Sequence, residues 1–361
     1  MGNCANNPIL CEGRTEILQE SNQKYRPKNP DSKENSISKE NFILKEKSTS
    51  KKEQSIQHQP KTAQIPSTSK KSQLLNPQES QKKHPYKEIQ FNMENHHPIV
   101  QEILDNLGPF EFDLNESFDE SLIKGPLLFE NGAIYYGEIL NNQRCGKGKQ
   151  IWKDGSFYEG YWQNDTAFGK GRLIHSDGDM YIGEWVNDKA QGHGIYLHSD
   201  GTKYSGQWLE DKQHGFGIEN WPDNTQYEGM YCLGKKHGQG CFIWNDGSFY
   251  KGEFFNNIIQ GKGLYQWNNG RQYEGEWINN QMDGKGVFIW DDGRKYEGEF
   301  SNDRRDGYGI FYFPDGKIYK GQWKEGKQNG YGVLLFQDGS ENKKGVWDMG
   351  KFIGQQDEYC Q

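Results

Sequence analysis

The sequence predicts an all-β fold: an elongated, single-layer antiparallel meander of repeated β-hairpins, preceded by a disordered tail and a short helix. Three observations carry that expectation. Tyr135, Tyr158, Tyr181, Tyr204, Tyr227, Tyr250, Tyr273, Tyr296 and Tyr319 fall 23 residues apart, and Gly stands two places after each. Of the 45 glycines, 35 sit at four repeat positions, so glycine punctuates the array rather than loosening it. Between Tyr135 and Ser340 there is no apolar stripe of helical period, which argues against crossover helices and a parallel sheet. A fixed period of this length marks stacked units, each burying its face against its neighbours.

Copy seven shows the unit best. Tyr273, Gly275 and Trp277 alternate with Glu274 and Glu276, the period-two pattern of a strand. A polar turn is expected over Ile278 to Asp283, after which Gly284 and Gly286 lead into Val287-Phe288-Ile289-Trp290, a β-branched and aromatic run. Asp292-Gly293 then closes a tight turn into the next copy, because Gly supplies the positive φ such a turn needs. Nine copies laid flat would extend roughly 85 Å at the usual strand spacing.

Tyr-Glu-Gly-Glu-Trp followed by Gly-x-Gly and Asp-Gly resembles the MORN repeat, the "membrane occupation and recognition nexus" family. The resemblance covers residues 135–341, and Gly125 and Asn131-Gly132 extend it backwards as a partial copy, so the array is expected over 121–341. Departures are local: Ile139, Tyr231, Phe254 and Phe300 replace the fifth-position Trp, and Asn224 replaces a turn Gly. Past Gly339, Asn342 stands where Tyr is due and Gly345-Val346-Trp347 look shifted by one, so residues 342–361 read as a degenerate cap.

Ahead of the array, residues 1–95 carry a net charge of +6 up to residue 90 and too few aromatic residues to offset the entropy of ordering, so a disordered basic tail is expected. Residues 91–120 are net −8, and residues 121–361 net −6. Met1-Gly2-Asn3-Cys4 resembles a lipidation start, with Gly2 open to myristoylation and Cys4 to palmitoylation. An ordinary tail start is the equal alternative, since Asn6 replaces the usual Ser or Thr. One acyl chain binds membranes only marginally; Cys4 or the lysines from Lys45 to Lys83 would supply the second signal. A Gly2→Ala chain that stays as membrane-bound as its parent removes the anchor reading. Between 96 and 120, a short helix and an acidic linker are expected, with Val100, Ile103, Leu104 and Leu107 on one apolar face, Pro98 at its start and Gly108 at its end. That helix either caps the first strand of the array or docks on the array or a partner.

No residue set points to catalysis. The Gly-x-Gly elements lack the helix and companion residues of a phosphate loop. The Asp-Gly turns lack the ligand spacing of a calcium loop. His175 and His198 share a repeat position about 10 Å apart, too far to share a metal. No metal, cofactor or enzyme activity is therefore expected, and the 20 residues after the last copy are too few for an enzymatic domain. There is no apolar run long enough to span a bilayer, the start does not read as a secretory signal because no basic segment is followed by an apolar core, and the scattered cysteines suit the cytoplasm.

The expected function is a non-enzymatic scaffold. Its partner-binding face is assigned to Tyr158, Trp162, Tyr181, Trp185, Tyr204, Trp208, Tyr273, Trp277, Tyr319 and Trp323, an aromatic strip on which a helix, a peptide or a second copy of the chain would lie. The equal alternative for each ring is stacking within the sheet. The resemblance implies settings at the cell cortex, the cytoskeleton or the cilium. A phospholipid-binding, membrane-tethering module is the second functional reading, and the negative array disfavours it and nucleic acid alike.

Overall fold

The computed structural model describes residues 97–112, 123–124 and 126–355. The lipidation start, the basic tail and most of the acidic linker lie outside the described residues. Those described form a helix, α1 (Pro98–Leu107), and an open antiparallel meander in which strands of seven and nine residues alternate. They divide into two compact units. One holds residues up to Gln226 with Tyr231–Gly234; the other holds Tyr227–Met230 with residues from Lys235 onward.

The carboxy-terminal unit shows why the repeat folds as it does. In copy seven, Gln272–Ile278 pairs with Gln281–Ile289, so the turn is only Asn279-Asn280 and the expected loop to Asp283 is strand instead. Both asparagines take positive φ, 50° and 65°, the conformation of a two-residue turn that follows the twist of its strands. The Asp-Gly turn behaves as the sequence indicated, and Asn224 adopts φ of 69° where the other copies carry Gly.

Register explains Tyr. Tyr273 faces Phe288 and Gly275 faces Gly286, and then a bulge shifts the pairing before Trp277 meets Met282. A bulge leaves a backbone carbonyl out of the ladder. The Tyr273 hydroxyl donates to that of Glu276 at 2.9 Å. Every copy repeats this bond, from Tyr135 to Glu138 at 2.9 Å through Tyr319 to Gln322 at 3.1 Å. A phenylalanine would fill the space and leave the carbonyl unpaired. Gly286 makes room for the ring: a Cβ there would come within 2.5 Å of Tyr273.

The rings then interlock between copies. Tyr250 and Tyr273 both meet Trp277 edge to face, with centroids 5.5 and 5.1 Å away. Tyr273 continues to Phe300, Tyr296 to Trp323, and Tyr319 to Trp347. Trp277 Nε1 also donates to the Gly263 carbonyl of the preceding copy at 3.1 Å. The array ends in a hairpin, Glu341–Asp348 and Lys351–Gly354. The one-residue shift in sequence is taken up at Asn342, between the pairs Leu335 with Glu341 and Leu334 with Lys343, which returns Gly345 and Trp347 to phase opposite Gly332 and Gly330.

In the amino-terminal unit the same ladder runs Tyr135, Trp162, Tyr158, Trp185, Tyr181, Trp208, Tyr204 and Tyr231. A second tie joins adjacent turns there. Asp188 Oδ1 accepts from Ala167 N at 2.7 Å, and Asp211 Oδ1 from Ala190 N at 2.8 Å. Asn257 and Asn280 do the same in the other unit.

Burial raises the Asp211 carboxyl above its ordinary pKa. An acid raised in the folded state lends stability below its unfolded pKa and loses it as pH climbs through the folded value, so at neutral pH this charge is a cost. Asp211→Asn keeps the acceptor without the charge. It is expected to stabilise the chain at pH 7 and to do so less at pH 4, with the gain reduced by solvent screening, and urea unfolding at pH 7 and pH 4 checks it. A destabilised variant at pH 7 would contradict the assignment.

Candidate functional site

The ten rings assigned to a partner strip are all buried: Tyr158, Trp162, Tyr181, Trp185, Tyr204 and Trp208 in one unit, Tyr273, Trp277, Tyr319 and Trp323 in the other. They cover one another, and the glycines opposite them are filled by the Tyr rings of the same chain rather than left as a groove floor. Stacking within the sheet is therefore the alternative the structure takes. The accessible apolar surface lies on the reverse of the sheet, on the alternate residues of each strand.

In the amino-terminal unit that reverse face is a seat, and α1 occupies it. Phe157 pairs with Ile151 and Ile174, and Met180 pairs with Ile174 and Leu197, so five apolar residues run across five strands in one row. Val100 is fully buried in a cluster with Ile151, Phe157, Ile174 and Met180, and Ile103 and Leu104 of the helix and Ile182 and Leu197 of the sheet pack around that cluster. The helix thus lies on the sheet face and does not cap the first strand. Pro98 opens it, and the Gly108 N–H closes it on the Leu104 carbonyl at 3.0 Å. Leu107, expected on the buried side, is 43% exposed, because the chain turns off at Gly108 and Phe110 carries the contact onward.

Charge holds the far end. Arg172 donates to the Gly108 carbonyl at 2.8 Å and to Glu159 at 2.8 Å, and Lys149 meets the other Glu159 oxygen at 2.7 Å. Arg172 and Glu159 are both buried, so the pair is screened little. A cation at a helix C-terminus also complements the helix dipole. Beyond the helix, Phe112 stands edge to face on Tyr161 at 5.3 Å, and Lys147 Nζ lies 5.3 Å from the Phe112 centroid.

The sequence reading found α1 but not its seat. The signal was present: the residues before Tyr158 and Tyr181 are Phe157 and Met180, whereas the equivalents in copies four, five and seven are Lys203, Gln226 and Gln272. His198, one of the two histidines in register, has Nδ1 3.3 Å from Asp179, whose carboxylate also accepts from Tyr196 and Ser199. That is a turn contact. Among the described residues no group of three or more His, Cys, Asp or Glu could hold a metal ion, and no described helix is long and apolar enough to cross a membrane.

No curated protein matches the sequence. Solved structures give weak likenesses. The TCP10 domain of Danio rerio CPAP, in complex with a peptide of Danio rerio STIL, is 14% identical, covers 63% of this chain and 100% of its own, and has a TM-score of 0.29. The TCP domain of Drosophila melanogaster SAS-4, in complex with a proline-rich motif of Ana2, is 9% identical over 52% of this chain and 96% of its own, with a TM-score of 0.28. A streptogramin B lyase is 16% identical over 67% and 74%, with a TM-score of 0.14. Scores this low carry no inference about what the chain does. The family comparison is decisive by contrast: the MORN repeat model, a non-catalytic repeat, matches residues 135–157, 158–180, 181–203, 204–226, 227–249, 250–270, 273–293, 296–318 and 319–341. With nine consecutive matches in one phase, and each copy closed by the same Tyr hydroxyl bond, the chain belongs to the MORN repeat family.

Proposed function

We propose that this protein is a non-catalytic scaffold that docks helical protein segments on the face of its array opposite the ring ladder. The observation that carries this reading is α1 itself, an amphipathic helix held across copies one to three by Val100 and by Arg172. The ring ladder makes the sheet stiff enough to present a row of side chains at fixed spacing, and the reverse face supplies the row. Cortical, cytoskeletal or ciliary settings, which the resemblance suggests, are ones where such a scaffold would work. The phospholipid alternative draws its support from Gly2, Cys4 and the tail lysines, all outside the described residues, while the net charge of −6 over residues 121–361 opposes it.

The test uses the full chain carrying Val100→Asp and Leu104→Asp, which vacates the seat, and a fluorescein-labelled peptide of residues 97–112 with the native sequence. The vacated chain is expected to bind the peptide saturably by fluorescence anisotropy. The parent is expected to bind it at that seat at least about tenfold more weakly, because its tethered helix competes at millimolar effective concentration. No binding by the vacated chain would overturn the reading.

A further inference from the structure

The α1 seat has a counterpart six copies further along, within the carboxy-terminal unit. Lys295 pairs with Ile289 and Tyr312, and Ile318 pairs with Tyr312 and Leu335, so Ile289, Lys295, Tyr312, Ile318 and Leu335 hold the repeat positions of Ile151, Phe157, Ile174, Met180 and Leu197. Beside that row, Lys320 pairs with both Ile310 and Val333, where Ile182 stands in the α1 seat. Further out, Tyr308 is 55% and Tyr331 44% exposed. Among the described residues the one helix is α1, and its apolar side packs on copies one to three.

Two differences say what would fit. Lys295 and Lys320 replace the apolar Phe157 and Ile182. Lys295 is engaged by Glu297, whose other oxygen accepts from the Tyr312 hydroxyl at 3.2 Å, so that carboxylate is already shared. Glu299 is turned to the Tyr308 backbone N–H at 3.3 Å. Lys320 is exposed beside the apolar row, between Ile310 and Val333, and Lys344 lies opposite Val333 on the next strand, 3.8 Å from Glu341. The row crosses five strands, about 19 Å at ordinary strand spacing. A helix of ten to twelve residues is about 15 to 18 Å long.

We propose that this face of copies seven to nine is a second docking site, for an amphipathic helix of another protein whose apolar stripe is flanked by Asp or Glu. The inference rests on the helix-docking reading above and adds to it the place and the chemistry of the partner. The stripe would lie on Tyr312, Ile318, Leu335 and Ile289, and its flanking carboxylates would meet Lys320 and Lys344.

The test compares two labelled peptides of residues 97–112 on the full parent chain, one with Gln101→Glu and Asn106→Glu, the other with Gln101→Lys and Asn106→Lys. Both positions flank the stripe of Val100, Ile103 and Leu104. The acidic peptide is expected to bind about tenfold more tightly than the basic one at low salt. Ile318→Asp with Leu335→Asp should abolish binding. Lys320→Glu, an exposed change that leaves the row intact, should reverse the preference. Equal binding of both peptides, or binding untouched by these variants, overturns the proposal. So does self-association by light scattering that Ile318→Asp abolishes, since the occupant would then be a second copy. If the vacated amino-terminal seat binds its native peptide while this site binds neither, the docking reading stands and this inference alone fails.

Discussion

Trp277→Ala is expected to cost about 3 to 5 kcal/mol, the range for truncating a fully buried large aromatic side chain. The loss is more than volume. Trp277 meets Tyr250 and Tyr273 edge to face and donates to the Gly263 carbonyl, so it joins copies six and seven. In a repeat array each unit is stabilised only by its neighbours, and a broken interface weakens cooperation across it. Thermal unfolding should therefore split into two steps, with fast hydrogen exchange in Gln272–Ile278. Trp277→Phe is the control, because Phe254 and Phe300 hold this position in the adjacent copies with the same edge-to-face contacts. That variant should lose less than about 1.5 kcal/mol. Equal losses in the two variants would mean that the ladder does not couple the copies.

Arg172→Ala should be the most damaging change at the α1 seat, at about 3 kcal/mol, the lower end for breaking a buried ion pair. Glu159 would stay buried with Lys149 as its remaining partner, which keeps the loss at that lower end. The same change strips the Gly108 carbonyl of its donor, so α1 should loosen as well. Amide exchange across residues 99–107 reads the helix, and urea unfolding reads the sheet. Adding Glu159→Gln should recover much of the stability, since no buried unpaired charge then remains and Lys149 is exposed, but should not restore protection of α1. If the double variant protects the helix as well as the parent does, Arg172 is not what fastens it.

Much of the fold was legible because the repeat reports the same physical constraint nine times. A single Tyr-x-Gly would say little; nine in phase indicate a ring that must always find a glycine across the strand, as Tyr273 finds Gly286. The turn between the two strands was read too long, because Asn279-Asn280 is an Asn pair at positive φ rather than the Asn-Gly or Asp-Gly that marks such turns most clearly. The ten rings assigned to a partner strip are buried among themselves. Alternation showed that Tyr273, Gly275 and Trp277 share a face, but not whether that face is covered, since edge-to-face contacts join residues 4 and 27 apart through the bulge.

By itself the sequence determined the strand count per copy, the Asp-Gly turns, the repeat phase and the amphipathic character of α1, because each follows from local periodicity and backbone preference. The tertiary structure alone decided which face is spent on cohesion and which can receive a helix. Burial is a property of neighbours: the Tyr rings are covered because a bulge turns their hydroxyls onto carbonyls and the next copy's ring closes over them. The row of Ile151, Phe157, Ile174 and Met180 becomes a site only once Val100 is brought to it from outside the repeats.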